Sequence, residues 1–175
     1  MIAHVSRRTR LGLVLLMVAL VTGLGAAQNS WEDIQQESQP IFMDGWGGVG
    51  YGDVADGFAS FFIDVDLEGP LTLEVYVTEH RMGLEYDDDD SKLYLFDSEG
   101  YLIAENDDSE LGGYQSLING AEIEHPGRYF AVVTTYPNTP ETDGFGRFVN
   151  LPNEGKSNIT FELIVEYGMR EGGPN

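Results

Sequence analysis

The sequence KLYLFDSEGYLIAEN, which spans Lys92–Asn106, decides the fold class. Apolar and aromatic residues fill its first half, and a second apolar run follows the tetrapeptide Asp97–Gly100. A tetrapeptide of this kind, with Gly at the position that favours positive φ, is typical of a type I turn between paired strands. The segment therefore predicts a β-hairpin of Lys92–Asp97 with Tyr101–Asn106.

The sequence on both sides of this hairpin also has the pattern of strands. Alternating apolar residues predict two strands, Phe61–Leu67 and Leu71–Thr78, joined by a short turn. Two more segments have a strong strand pattern, Arg128–Tyr136 and Asn158–Tyr167, and shorter segments predict further strands at Ile41–Met43, Tyr114–Asn119, Ala121–Glu124 and Phe145–Val149. Turn signals separate these strands, and no helical period is recognised after residue 27. The sequence predicts an all-β fold, an antiparallel β-sandwich that is jelly-roll-like and has seven to eight strands.

The first 27 residues have the pattern of an export signal. Three Arg residues precede an apolar run at Leu11–Leu24, and small residues follow it up to Ala27. The run is shorter than the roughly 20 apolar residues of a membrane-spanning helix, so we expect cleavage rather than a stable membrane anchor. We expect a signal peptide at 1–27, a Gly-rich N-terminal arm at 28–56, a β-sandwich domain at 57–170 and a C-terminal tail at 171–175. The expected location is secreted, either periplasmic or extracellular, in a bacterium.

The protein is strongly acidic, with 30 Asp+Glu against 9 Lys+Arg and a formal net charge of −21. Loss of residues 1–27 removes three Arg and no acid, which leaves 6 Lys+Arg and a net charge of −24. Nucleic-acid binding is excluded because it needs clustered Lys and Arg. The sequence has no Cys, which excludes disulfides, thiolate catalysis and Cys-based metal sites. The charge indicates either a general acidic surface suited to salty surroundings or acids concentrated at sites for divalent cations.

Acidic residues concentrate at the open end of the predicted hairpin. If the strands pair about the turn at Asp97–Gly100, Asp90 lies opposite Asp107 or Asp108. Opposed carboxylates destabilise a sheet, whereas converging carboxylate and carbonyl oxygens are the ligands that Ca²⁺ prefers. The sequence therefore predicts a calcium site, and the alternative is a solvated acidic loop that binds no ion. Its candidate ligands are four carboxylates and one amide carbonyl, from Asp88, Asp90, Asp107, Asp108 and Asn106.

Catalytic constellations are scarce in this sequence. His80 and His125 have no recognisable nucleophile motif to serve, and nothing singles out two of the thirty acids as a glycosidase pair. We therefore expect a protein that is not an enzyme. An extracellular hydrolase with a glycosidase-like carboxylate pair and a structural cell-surface protein are the alternatives.

Aromatic residues in the Gly-rich segment are the candidates for ligand binding. Trp46 and Tyr51 stand among five Gly residues, whose backbone can approach a ligand closely. Their rings could stack on a sugar or a peptide, or could anchor the segment on the sandwich. The expected partner is an extracellular protein or polysaccharide, and the sequence leaves the oligomeric state open.

Five segments in a fixed order resemble the bacterial pre-peptidase C-terminal domain family. The two most specific parts are LYLFDSEG with the trailing NDD, and PGRYFAVV; the full set is 58–65, 69–73, 93–100, 104–108 and 126–133. The resemblance covers roughly Gly57–Tyr167. It implies a secreted β-sandwich that accompanies exported peptidases or other extracellular enzymes and is itself non-catalytic. Some members bind calcium, and Asp97, Asn106, Asp107 and Asp108 match polar positions of the family pattern.

Overall fold

The computed structural model describes residues 28–54, 57–80, 90–108, 115–152 and 159–170. The predicted export signal and C-terminal tail lie outside these ranges. Within them the chain forms one α-helix and twelve strands, which are β1 (Gln28–Asn29), α1 (Trp31–Glu37), β2 (Gln39–Ile41), β3 (Gly47–Asp53), β4 (Ala59–Val65), β5 (Gly69–His80), β6 (Ser91–Asp97), β7 (Leu102–Asn106), β8 (Leu117–Ile123), β9 (Gly127–Thr135), β10 (Glu141–Thr142), β11 (Phe148–Pro152) and β12 (Ile159–Tyr167).

Two sheets form the sandwich. The five-stranded sheet has the order β2-β4-β9-β6-β7, and the four-stranded sheet has the order β3-β12-β5-β8. All pairings within them are antiparallel except that of β2 with β4. Alternate side chains of both sheets meet in one apolar core, among them Phe61, Leu95 and Ala131 from one sheet and Leu73, Phe161 and Leu163 from the other. The predicted all-β antiparallel sandwich is confirmed, with more strands than expected.

The predicted hairpin is confirmed as β6 and β7. Gly100 closes its turn with a φ of +88°. The strands predicted at Phe61–Leu67 and Leu71–Thr78 also form, as β4 and β5, but they lie in different sheets and do not pair. Period-two alternation shows which side chains face the core, and the two strands face the same core from opposite sides, so their pattern cannot distinguish a hairpin from a crossing between sheets.

Helix α1 covers the outer face of the five-stranded sheet. Ile34 is fully buried in a second apolar cluster, and the ring of Trp31 packs within 5.5 Å of those of Phe96, Phe130 and Phe148. This cover explains why β6 and β9 are apolar on both faces. The expectation of no helix after residue 27 was wrong, because α1 is short and is stabilised by packing rather than by a long helical period.

A reciprocal cap starts α1. The Ser30 hydroxyl accepts a hydrogen bond from Asp33 N (3.2 Å), and Ser30 N donates to the Asp33 carboxylate (2.8 Å). The hydrogen bonds from the Ser30 hydroxyl and backbone lower the pKa of Asp33. Ser followed three residues later by an acid is the sequence signal that could have located this helix.

The predicted Gly-rich arm is also wrong, because its second half is strand β3 of the four-stranded sheet. β3 pairs with β12 along its whole length. Gly48, Gly50 and Gly52 face inward, and a Cβ atom at Gly50 would lie 2.9 Å from Ile41 and from the ring of Phe61. These Gly residues let β3 approach the core where large rings already fill the space. The expected boundary at residue 56 therefore does not separate an arm from the sandwich.

Candidate functional site

The outer face of the four-stranded sheet carries the candidate binding surface. Pairing of β3, β12 and β5 aligns outward residues in rows, one formed by Tyr51, Glu162 and Tyr76 and the next by Val49, Ile164 and Glu74. Residues in one row are held at the strand spacing of about 4.8 Å. The rows therefore bring to one face residues that are more than 100 positions apart in the sequence.

Large exposed side chains cluster on this face and at its β3 end. Phe42 and Trp46 are each 82% exposed, Tyr51 is 68% exposed and Tyr76 is 52% exposed. We call these four residues the aromatic surface. A shallow groove lies beside them, lined in part by Phe42, Trp46, Val49 and Ile164. Of the two sequence candidates, Trp46 lines this groove and Tyr51 lies on the outer face of β3, and both side chains are exposed.

Sequence reasoning missed Phe42 and Tyr76 as members of this surface. Tyr76 alternates with the buried Val75 along β5, so the period of two already placed its ring on the outer face. What the pattern could not show was that this outer face is shared with Tyr51, since that depends on both strands pairing with β12.

Charges on this face are unevenly compensated. The Arg170 guanidinium binds the carboxylates of Glu74 and Glu166, the latter at 3.0 Å. Burial alone would lower the pKa of Arg170, but its hydrogen bonds to these two carboxylates raise it, so the guanidinium stays charged. Glu162 makes no ion pair with any of the residues that the structure describes.

The predicted register at the open end of the hairpin is wrong. Leu93 pairs with Asn106 and Tyr94 with Glu105, which sets Asp107 beside Lys92 instead of Asp90. The ammonium of Lys92 lies 3.2 Å from the Asp107 carboxylate. Burial would lower the pKa of Lys92, but Tyr94, Asp107 and Asp90 together raise it, so this ion pair persists at neutral pH. The cation that meets Asp107 in the structure is therefore a side chain of the protein itself.

The remaining predicted ligands have different surroundings. The Asn106 side-chain carbonyl accepts a hydrogen bond from Leu117 N (2.7 Å), and the backbone carbonyl of Asp90 accepts one from Tyr136 N (3.0 Å). Asp108 lines the same polar hollow as Lys92 and Asp107. Asp88 lies outside the described residues. Across the described part of the chain, no three acidic or His side chains converge as a metal site would require.

Asn106 gives a test that separates a structural role from calcium binding. We expect Asn106→Ala to lower the free energy of unfolding by about 1–3 kcal/mol, because Leu117 N loses its acceptor. A structural role predicts the same loss with calcium and with chelator present, measured by urea denaturation. Asp108→Asn is the control, since the Asp108 side chain is exposed and we expect little change in chelator.

The result that would contradict this role is a calcium-dependent loss. If Asn106→Ala matched the parent protein in chelator but lost a stabilisation that calcium gives the parent, its carbonyl would be a ligand rather than a cap for Leu117. Matched ionic strength of NaCl separates general screening of the acids from binding at a site.

One of the two histidines considered as candidate catalytic groups has a described side chain. His125 is exposed at the turn before β9, and its Nδ1 lies 4.0 Å from the Glu68 carboxylate. The His80 side chain lies outside the described residues. Within the described ranges, no helix has the length and apolar character needed to cross a membrane.

Comparison with known proteins finds similar solved structures. No family model and no curated protein matches the chain. The fold is similar to the crystal structure of the pre-peptidase C-terminal domain of a collagenase from Bacillus anthracis, with 16% sequence identity and a TM-score of 0.46. The match covers 74% of this chain and 95% of that one. That domain is of the family that the sequence motifs resemble.

Proposed function

We propose that the protein is an exported, non-catalytic β-sandwich module that binds an extracellular protein or polysaccharide through the aromatic surface. The observation that carries the proposal is the exposure of four aromatic side chains in this region: Tyr51 and Tyr76 on the outer face of the four-stranded sheet, and Phe42 and Trp46 beside the groove at the β3 end. Contiguous exposed apolar surface is unusual on soluble domains and marks interaction sites. Aromatic side chains also supply much of the binding energy at interfaces.

Calcium binding is a separate part of the proposal, as a stabiliser of the fold. Its support is the acidic run at 87–90, close in sequence to β6, together with the high negative charge that a bound dication would offset. Because Asp107 already pairs with Lys92, we expect Asp88, Asp90 and Asp108 to be the main carboxylate ligands of a bound calcium ion.

Export rests on the pattern of the first 27 residues. Arg residues followed by an apolar run and small residues are typical of a secretory signal. N-terminal sequencing of the protein recovered from the culture medium or periplasm should give Gln28 as the first residue.

Replacing aromatic residues tests the binding function. We expect Trp46→Ala and Tyr51→Ala each to weaken binding at least about tenfold, because each removes an exposed ring from the contact. The measurement is binding of the purified protein to an oligosaccharide array and a peptide array. Phe145→Ala is the control, because Phe145 is 89% exposed but lies between β10 and β11, outside the aromatic surface.

Two results would contradict this proposal. Equal losses in Trp46→Ala and Phe145→Ala would show that exposed aromatic residues in general, rather than this surface, cause retention on the arrays. Turnover of casein, ester or glycan substrates that a single carboxylate substitution abolishes would make the protein an enzyme.

A further inference from the structure

The outer edge of β3 is open to another strand from Val49 onward, beyond the bridge in which the Gly47 carbonyl accepts a hydrogen bond from Asp44 N (2.7 Å). At the two ends of its pairing with β12, hydrogen bonds run from Tyr167 N to Trp46 O and from Val54 N to Ile159 O. An antiparallel ladder uses alternate residues, so even-numbered residues of β3 point their backbone groups at β12. The N–H and C=O groups of Val49 and Tyr51 therefore point away from the sheet. Among the described residues, no strand pairs with β3 on that side.

A carboxylate without a described cation lies one strand in from this edge. Glu162 is flanked in its row by Tyr51 on β3 and Tyr76 on β5. Three strands at about 4.8 Å spacing place the two Tyr backbones about 10 Å apart. A cationic group bound to Glu162 would lie between two exposed rings, within the roughly 6 Å over which cation–π attraction acts.

The neighbouring acidic residues differ from Glu162 in having a cationic partner. Glu74 and Glu166 face the same side of the sheet as Glu162, and Arg170 binds both. Arg170 thus compensates Glu74 and Glu166, whereas Glu162 lies between two Tyr residues and has no ion pair among the described residues. With a net charge of −21, the protein has few other cations to offer.

We infer that the β3 edge, together with Tyr51, Glu162 and Tyr76, binds an extended basic segment of a partner protein. The segment adds as a strand to β3 through the backbone groups of Val49 and Tyr51. A Lys or Arg side chain of that strand crosses the ring of Tyr51 and reaches the Glu162 carboxylate. This inference rests on the proposed function and names the partner class for the same surface.

Charge and backbone geometry favour a basic peptide over a neutral polysaccharide. A neutral sugar can stack on the aromatic rings, but it neither neutralises Glu162 nor forms a strand ladder with Val49 and Tyr51. A basic strand does both. The acidic field of the whole protein also attracts such a segment, and this attraction weakens as salt is added.

The probe is a fluorescent nine-residue peptide in which Lys and Arg alternate with Val and Thr. Two companion peptides have Glu in place of Lys and Arg, or N-methyl groups on alternate amides that block a strand ladder. Binding is measured by fluorescence anisotropy at two salt concentrations, beside cellohexaose and chitohexaose measured by calorimetry. The variants are Glu162→Gln and the control Glu122→Gln, which removes an exposed carboxylate from β8, the opposite edge strand.

We expect the basic peptide to bind and both companion peptides to fail. Glu162→Gln should weaken its binding about tenfold, as loss of a hydrogen bond to a charged group does, while Glu122→Gln leaves it unchanged. Higher salt should weaken binding to the parent more than to Glu162→Gln. The midpoint of thermal unfolding is measured for both variants, and a value equal to that of the parent shows that the substitution has not disturbed the fold.

Several results would overturn the inference. If Glu162→Gln binds the basic peptide as tightly as the parent does, the contact with Glu162 is refuted. If the N-methylated peptide binds as well as the unmodified one, the strand ladder with β3 is refuted. If the basic peptide does not bind at all, the proposed class of partner is wrong. If a hexasaccharide binds instead and Trp46→Ala abolishes that binding, the proposed function stands and this inference falls. If neither peptide nor sugar binds on any array, both fall.

Discussion

Gly48→Ala should lower the free energy of unfolding by about 1–3 kcal/mol, because it overpacks the core under β3. A Cβ atom at Gly48 would lie 2.7 Å from the backbone oxygen of Phe42 and 2.8 Å from a methyl group of Ile41. A backbone oxygen cannot rotate away as the end of a flexible side chain can, so we expect the upper part of this range. Urea denaturation of the parent and variant measures the difference.

Gly127→Ala is the matched control for this prediction. Gly127 also lies in a strand, and a Cβ atom there would meet nothing within 4 Å. We expect no loss, or a small gain, because Ala restricts the unfolded chain more than Gly does. Equal losses in the two variants would mean that strand propensity, rather than the close approach of β3 to Phe42, determines the effect.

Ile34→Ala should lower the free energy of unfolding by about 2–5 kcal/mol, the range for removing a large buried aliphatic side chain. Ile34 is fully buried where α1 packs on the five-stranded sheet, among Phe58, Phe96 and Phe148. The substitution leaves a cavity there and weakens the hold of α1 on the sheet. Urea denaturation followed by near-ultraviolet circular dichroism reports both the stability and the aromatic packing.

Gln36→Ala is the control for Ile34, because Gln36 is exposed on the same helix. We expect it to change the stability by less than about 0.5 kcal/mol. A parent-like midpoint in Ile34→Ala would show that the packing of α1 on the sheet contributes little to the stability of the fold.

The sequence predicts the fold where local pattern and burial agree. The hairpin of β6 and β7 is an example, since the turn ending in Gly100 and the apolar runs beside it point to the same structure. β3 is the opposite case. Its inward positions are Gly, so hydrophobic alternation is absent, and the evidence for a strand lies in Phe61 and Phe161, which fill the space beneath it.

The calcium prediction depended on the pairing register of β6 with β7, and one extra residue in β7 changes that register. The pairing shifts between Leu95 and Phe96, with Phe96 opposite Leu102 and Leu95 opposite Ala104. Ile103 is therefore an extra residue in β7 and forms a β-bulge. The bulge shifts the pairing by one residue, so that Asp107 lies opposite Lys92. Nothing in the local sequence marks this bulge, so counting outward from the turn could not locate the partner of Asp107.

The candidate binding surface was predicted only in part for a similar reason. Trp46 and Tyr51 are neighbours in the sequence and stand out among Gly residues. Tyr76 and Glu162 join them through β12, which pairs with both β3 and β5 although it begins 79 residues after β5 ends. Long-range pairing of this kind leaves no signal in a single sequence.

The two Trp residues of the protein lie in different environments, one in helix α1 and one just before strand β3. Trp31 packs among three Phe rings on the five-stranded sheet, whereas Trp46 is almost fully exposed beside the four-stranded one. Their fluorescence therefore separates into a component shielded from aqueous quenchers and a component open to them. Trp31 fluorescence therefore reports whether the fold is intact, and Trp46 fluorescence reports whether a ligand occupies the aromatic surface.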